Sequence, residues 1–225
     1  MTLTTSVPNA ALLTIYAAIS PARLSTYPGS TPAAKLENYS KNVKITESLL
    51  PILQYFEICL RNRIEEVLIK RFGSDWFDNQ RFMDMLPEYG KDEMKKAKAK
   101  LTRMSRPFSS GAIVAEHTLG FWTSFFSTRL EKSFWVRHDR DLLPHALPEE
   151  RDAKKLRSDL NSIRDLRNRI AHHERIVNAR TLWRDYRLII KWIKWMSPEI
   201  FYWIRFSKID RFPSTFRINR FRFKK

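Results

Sequence analysis

This chain of 225 residues is poor in cysteine and glycine, with one of the first, Cys59, and five of the second. A lone cysteine excludes an internal disulfide and a cysteine-rich zinc site, and its place inside an apolar run fits a reducing, cytoplasmic setting. Long Val/Ile/Thr alternation is missing too, which together with the few glycines speaks against a sheet protein. Uninterrupted apolar runs of membrane-spanning length are absent: Glu116 and His117 break one, Lys191 and Lys194 another. No Lys or Arg precedes Arg23, so the apolar stretch from Ala10 to Ile19 lacks the basic flank of a secretory signal. There is no internal repeat and no low-complexity segment. These absences predict a soluble, cytoplasmic protein, and a membrane is not expected among its partners.

Basic residues are abundant. Forty-one Lys and Arg face twenty-four Asp and Glu, a formal charge of +17. A field of that sign concentrates polyanions and speeds their capture, so on charge alone nucleic acid or an acidic membrane is the implied partner, with a merely solvated basic surface as the alternative. The hydrophobic content, 43%, is enough for a core, and one compact unit is expected.

Apolar residues recur at three-and-four spacing, which predicts an all-α protein. A first helix is expected over Ala10 to Ile19, then a Pro/Ser-rich loop or irregular arm from Ser20 to Pro32. A long helix follows on the stripe Leu49, Leu53, Phe56, Leu60, Ile64 and Val67, with Pro51 as a kink or start and Gly73 as its stop. Residues 91 to 106, with seven Lys or Arg against two acids, read as a surface helix. Gly111 opens a helix with Ala115, Leu119, Trp122, Phe126 and Leu130 on one face. After Pro144 and Pro148 another runs from about Glu149, with Leu156, Leu160, Ile163 and Ile170 in register. The last stripe, Leu182, Tyr186, Ile189, Ile193, Met196, Ile200 and Trp203, contains a capped restart at Ser197-Pro198-Glu199. The expected divisions are an N-terminal helix and arm (1–34), a helical domain (35–204) and a basic Phe/Arg-rich tail (205–225).

One residue contradicts the pattern around it. At about 100° per residue Arg167 falls some 20° from Leu156, on the apolar stripe. A guanidinium there costs several kcal/mol unless it is paired, hydrogen-bonded or opens into a cleft or subunit seam. Two readings follow: a buried ion pair, with Glu57 as one candidate, or a site. Asn168 adjoins Arg167, and His172 and His173 stand five and six residues on, where the helix should end. If the last turn bends, arginine and imidazole reach one phosphate, the first holding oxygens in its planar fork and the second moving a proton near neutral pH. RNA cleavage needs those parts: a base for the 2′-OH, an acid for the leaving 5′-oxygen and a cation for the developing charge. Paired histidines at a helix C-terminus also suit the helix dipole without catalysis. As zinc ligands they lack partners at suitable spacing, since His117, His138 and His145 form no set with them. No metal or other cofactor is expected.

The block Arg167-Asn168-Arg169-Ile170-Ala171-His172-His173-Glu174-Arg175 resembles the Arg-Asn-x-x-Ala-His-His-x-Arg block of the Abi-like (abortive infection) family, within the HEPN superfamily. Ile19-Ser20-Pro21-Ala22-Arg23-Leu24, Glu57-Ile58-Cys59-Leu60-Arg61-Asn62 and Val114-Ala115-Glu116 before Gly120-Phe121-Trp122 resemble it in the same order, over about residues 10 to 190. The resemblance implies an HEPN-like helical bundle with added terminal helices. It also implies metal-independent endoribonuclease activity, used by bacteria against phage or as a toxin, and a homodimer whose two motifs face each other in a composite site. On that reading Arg167 binds the phosphate, Asn168 orients the pocket, His172 is the main acid or base, and His173 assists or positions. Glu57, Arg61 and Asn62 would form a second wall, although their i, i+4 spacing equally suits a helix salt bridge. Some HEPN toxins carry a tyrosine two residues after the motif histidine as a target of a partner transferase. Here Glu174 stands there, so the resemblance does not identify an antitoxin.

Residues 205 to 225 hold eight Lys or Arg, one Asp and five Phe. Arg217, Arg220 and Arg222 interleave with Phe216, Phe221 and Phe223, a mixture suited to single-stranded RNA, in which cations follow phosphates and rings stack on bases. Docking of those phenylalanines on the bundle is the other reading. The functional alternatives are a non-catalytic RNA-binding or regulatory module, and a DNA-binding protein with a helix in the major groove.

Overall fold

The computed structural model describes residues 7–176 and 181–220, with the side chains of 219 and 220 outside that description. Among these residues the chain is all-α, with no strand, and no helix is long and apolar enough to cross a membrane. The axis of the fold is α3 (Pro32–Phe72), 41 residues and so about 60 Å long. Thr31 starts it, its hydroxyl accepting from the Ala34 N–H at 3.2 Å with Pro32 at the first helical position. Gly73, at φ +90°, ends it, its N–H donating to the Ile69 carbonyl at 2.9 Å. The expected stripe of Leu49, Leu53, Phe56, Leu60, Ile64 and Val67 is buried throughout. Pro51 does not begin the helix, which runs through it and starts nineteen residues earlier, at Pro32.

On α3 pack α11 (Leu182–Met196), α9 (Val136–Leu142) and α7 (Leu119–Ser124), while α10 (Ala153–Ala171) lies against α7 and α11. Leu156, Leu160, Ile163 and Ile170 of α10 face inward as their spacing predicts. Asp152 caps α10, accepting from the Lys155 N–H at 2.7 Å, so the helix starts four residues after Glu149, which lies in a separate 3₁₀ turn. The far end of the core is aromatic: Phe121, Trp122, Phe125 and Phe134 are fully enclosed, with ring centroids 5.0 Å apart for both Phe121–Trp122 and Phe125–Phe134. Cys59 is buried and free, and burial pushes its thiol up to about 11.

Three expectations need correction. The helix expected from Gly111 to Leu130 is broken into α6 (Ser110–Glu116), α7, and α8 (Thr128–Leu130) with a π turn after it. The break at His117 changes the phase, so Ile113 and Val114 are buried in place of Ala115. The imidazole of His117 lies inside the core at that break, stacked on Phe121 with ring centroids 3.8 Å apart. Similarly, the restart of α12 (Pro198–Phe206) resets the last stripe. Ser197 caps it, accepting from the Ile200 N–H at 3.3 Å, and Ile204 is buried whereas Trp203 is 59% exposed. Finally, the arm after Ile19 is partly helical. Pro21–Ser25 forms α2, which with α1 (Asn9–Ile19) packs on the first turns of α3 through Leu12, Leu24, Tyr27 and Leu36.

The surface helix is α5 (Glu88–Arg103), which follows the short α4 (Gln80–Met85). It buries only Gly90, Met94, Ala97 and Leu101. The tail folds back as α13 (Phe212–Arg220) on α3. Phe212 is enclosed and Phe216 lies 5.6 Å from Trp183. Docking is therefore what the first half of the tail does.

Candidate active site

The end of α10 is built by a Schellman turn: the His173 N–H donates to the Ile170 carbonyl at 3.0 Å and the Glu174 N–H to that of Arg169 at 2.8 Å. His173 takes the left-handed position, φ +55°, normally given to glycine. Two side chains from distant segments and one from α10 itself hold this turn. Arg23 of α2 donates from Nη1 to the His173 carbonyl at 2.9 Å. Asn42 of α3 uses both ends of its amide, Nδ2 donating to the Glu174 carbonyl at 3.3 Å and Oδ1 accepting from the Ile176 N–H at 2.8 Å. Arg169 donates to the Arg175 carbonyl, with its Nε 3.5 Å from Glu174 Oε2. Asn42 had no sequence signal, being a polar residue within a helix whose partner lies 132 positions away.

Arg167 is not sealed in the core. Its side chain is 37% exposed, at the mouth of a 410 Å³ cleft between α3 and α10 lined by Leu53, Gln54, Glu57, Ile58, Arg61 and Arg167, among others. The two readings of this arginine merge: Glu57 is its partner, but at 4.0 Å, the outer limit of an ion pair, and the guanidinium still faces open space. The helix salt bridge between Glu57 and Arg61 does not form. Arg61 has no ion pair among the described residues, and its Nε is buried without a hydrogen-bond partner. Two arginines against one carboxylate leave the cleft cationic. Asn62 is exposed and lines no part of it.

His172 and His173 are exposed and line a second cleft, of 420 Å³, with Arg23, Tyr27, Glu174 and Arg175. Asn168 is exposed, and its carbonyl accepts from the His172 N–H at 2.9 Å. Five residues of helix turn His172 about 140° away from Arg167. A single chain thus puts arginine and histidine at neighbouring mouths, not in one pocket. Arg217 is exposed on α13; Phe221, Arg222, Phe223 and the side chain of Arg220 lie outside the described residues. Among the described residues no His, Cys, Asp and Glu cluster suited to a metal is present.

An all-α protein with a cationic cleft and an exposed histidine pair at the two sides of one helix end is the class that fold and site define. The profile of the family described as Abi-like protein matches residues 13–178, and the chain belongs to that family. Membership suggests a part in abortive infection, a bacterial defence against phage. No curated protein and no solved structure gives a match.

Proposed function

We propose that this protein is a metal-independent endoribonuclease of the HEPN type that acts in abortive infection or as a toxin. The single observation behind this reading is that Arg167, on the buried side of its helix, has its guanidinium in an open cationic cleft, held by one long contact to Glu57. The charge is available to a scissile phosphate. His172, at the cap of the same helix, is exposed and backed by a turn braced by Arg23 of α2 and Asn42 of α3. In the proposed reaction a base takes the proton of the ribose 2′-OH and the oxygen attacks phosphorus. The 5′-oxygen then leaves with a proton from an acid, and a 2′,3′-cyclic phosphate remains. His172 supplies base or acid, Arg167 steadies the charge on the phosphoryl oxygens, Asn168 orients the strand and His173 shapes the turn.

Because the two groups diverge within one chain, the reading includes a homodimer in which Arg167 of one copy and His172 of the other meet at one phosphate. Leu50, half exposed at the cleft, gives such a seam apolar area. The first test is cleavage of RNA in EDTA. Wild type is expected to leave 2′,3′-cyclic ends, and Arg167→Ala or His172→Ala is expected to lose at least about a hundredfold in rate. A variant cutting at the wild-type rate removes that residue from the mechanism. The second reading, a non-catalytic RNA-binding module, is favoured by the charge and by exposed Arg217; it requires RNA binding that survives His172→Ala with no cleavage by any variant.

A further inference from the structure

A third cleft, of 470 Å³, opens along an earlier stretch of α10 than the Arg167 cleft, between that helix, α5 and α7. Hydrogen-bonding groups dominate its lining: Tyr89, Thr123, Ser124, Ser127, Asn161 and Arg164, with Arg157 beside them. No acidic residue lines it. Arg157 is already engaged, donating to the Phe126 carbonyl at 3.0 Å and to Glu131 at 2.5 Å. Arg164 is not: among the described residues it has neither an ion pair nor a hydrogen bond, and it is half-buried. The Ser127 hydroxyl is buried and has no partner either, which leaves a donor and acceptor unused. Gly120 forms part of the wall, where a β-carbon would stand at ordinary contact distance, 3.5 Å, from the Tyr89 hydroxyl.

The cleft is in register with the histidine. Arg157, Asn161, Arg164, Asn168 and His172 recur at spacings of four, three, four and four, so they form one ridge along α10. Arg164 and His172 are separated by about 12 Å of helix rise. A free guanidinium, an exposed amide and an unpartnered Ser127 hydroxyl in a groove without acids suit a phosphodiester and its ribose, while the Thr123 and Ser124 hydroxyls are turned to the Gly120 and Phe121 carbonyls.

We propose that this cleft is a subsite for the RNA strand, in which Arg164 binds the phosphate of a nucleotide flanking the one at His172 and Asn161 hydrogen-bonds its sugar or base. This rests on the ribonuclease reading for its geometry, and makes Arg164 a positioning residue for cleavage. The test has two arms. In the first, full-length protein carrying His172→Ala, which cannot turn over, is titrated with a short fluorescent single-stranded RNA. Arg164→Gln is expected to weaken binding about tenfold and to reduce the salt slope by about 0.7. Asn161→Asp, at an exposed position that does not disturb the core, is expected to weaken it comparably, and Arg164→Lys to restore part of the loss. Lys70→Gln, which removes an exposed cation elsewhere, is expected to stay within about twofold. In the second arm, Arg164→Gln in the otherwise wild-type chain raises KM for RNA about tenfold and leaves kcat nearly unchanged. If wild type cuts no RNA, the ribonuclease reading falls and the first arm alone decides the cleft. Unaltered binding by both Arg164→Gln and Asn161→Asp overturns the subsite whatever the activity, as does an equal loss with Lys70→Gln. Saturation of the cleft by inorganic phosphate with no effect on strand binding overturns it as well.

Discussion

At the scale of single residues, the chain places titratable groups in opposite environments and so separates stability from chemistry. His117 is enclosed, stacked on Phe121 with Nε2 3.2 Å from the Met94 sulfur, and burial lowers its pKa to about 4. The folded state therefore holds His117 neutral where the unfolded chain, with a pKa near 6.5, begins to bind a proton. Stability from this group is fully present above about pH 6.5 and is lost as pH falls toward about 4, a change on the order of 3 kcal/mol. Urea unfolding across that range measures it. His117→Phe is expected to flatten the curve, and an unchanged slope would show that carboxylates carry the acid sensitivity. Arg167 is the opposite case, a charge that spacing places among leucines but that a cleft keeps in reach of solvent.

Within elements, the turn after α10 is where conformational cost is stored. His173 at φ +55° lacks the freedom of glycine, and a non-glycine residue there costs about 1 to 2 kcal/mol. After allowance for the greater unfolded-state entropy of glycine, His173→Gly is expected to stabilise the protein by up to about 1 kcal/mol. If His173 only shapes the turn, RNA cleavage by that variant stays near wild type; a hundredfold loss would move His173 into the chemistry. Asn42→Ala removes both hydrogen bonds that pin residues 174 to 176 to α3 and strands the buried Ile176 N–H. It is expected to destabilise by about 1 to 3 kcal/mol and to speed amide exchange at Ile176. The sequence pattern showed that a helix ends near His172, because polar and basic residues succeed a clear stripe. It did not show the bracing by Arg23 and Asn42, because hydrogen bonds across more than a hundred residues leave no local periodicity.

For the whole molecule, the divergence of Arg167 and His172 by about 140° makes assembly part of the proposed chemistry. If each site takes its arginine from one copy and its histidine from the other, the two inactive variants Arg167→Ala and His172→Ala complement each other. Mixed after dissociation, they are expected to recover about a quarter of wild-type activity, since half the dimers are mixed and each of these has one intact site. No recovery, from variants shown to exchange subunits, would place both groups of a site in one chain. The charge of +17 acts at the same scale: RNA affinity is expected to fall steeply between low and physiological salt, read as a slope of log affinity against log salt.

By itself the amino-acid sequence determined the class and most of the helices, since three-and-four spacing is a local property that burial then respects, as in α3, α10 and α11. The Arg-Asn-x-x-x-His-His block and its link to the Abi-like family were legible there as well. The capped restart at Ser197 was legible too, whereas only the tertiary structure decided that the chain breaks at His117 and that Ile204, not Trp203, turns inward after the restart. It alone decided that Glu57 turns to Arg167 and leaves Arg61 unpaired, and that an open groove lies beside Arg164. Those outcomes depend on which helices meet and at what distance, and spacing along one chain does not contain that.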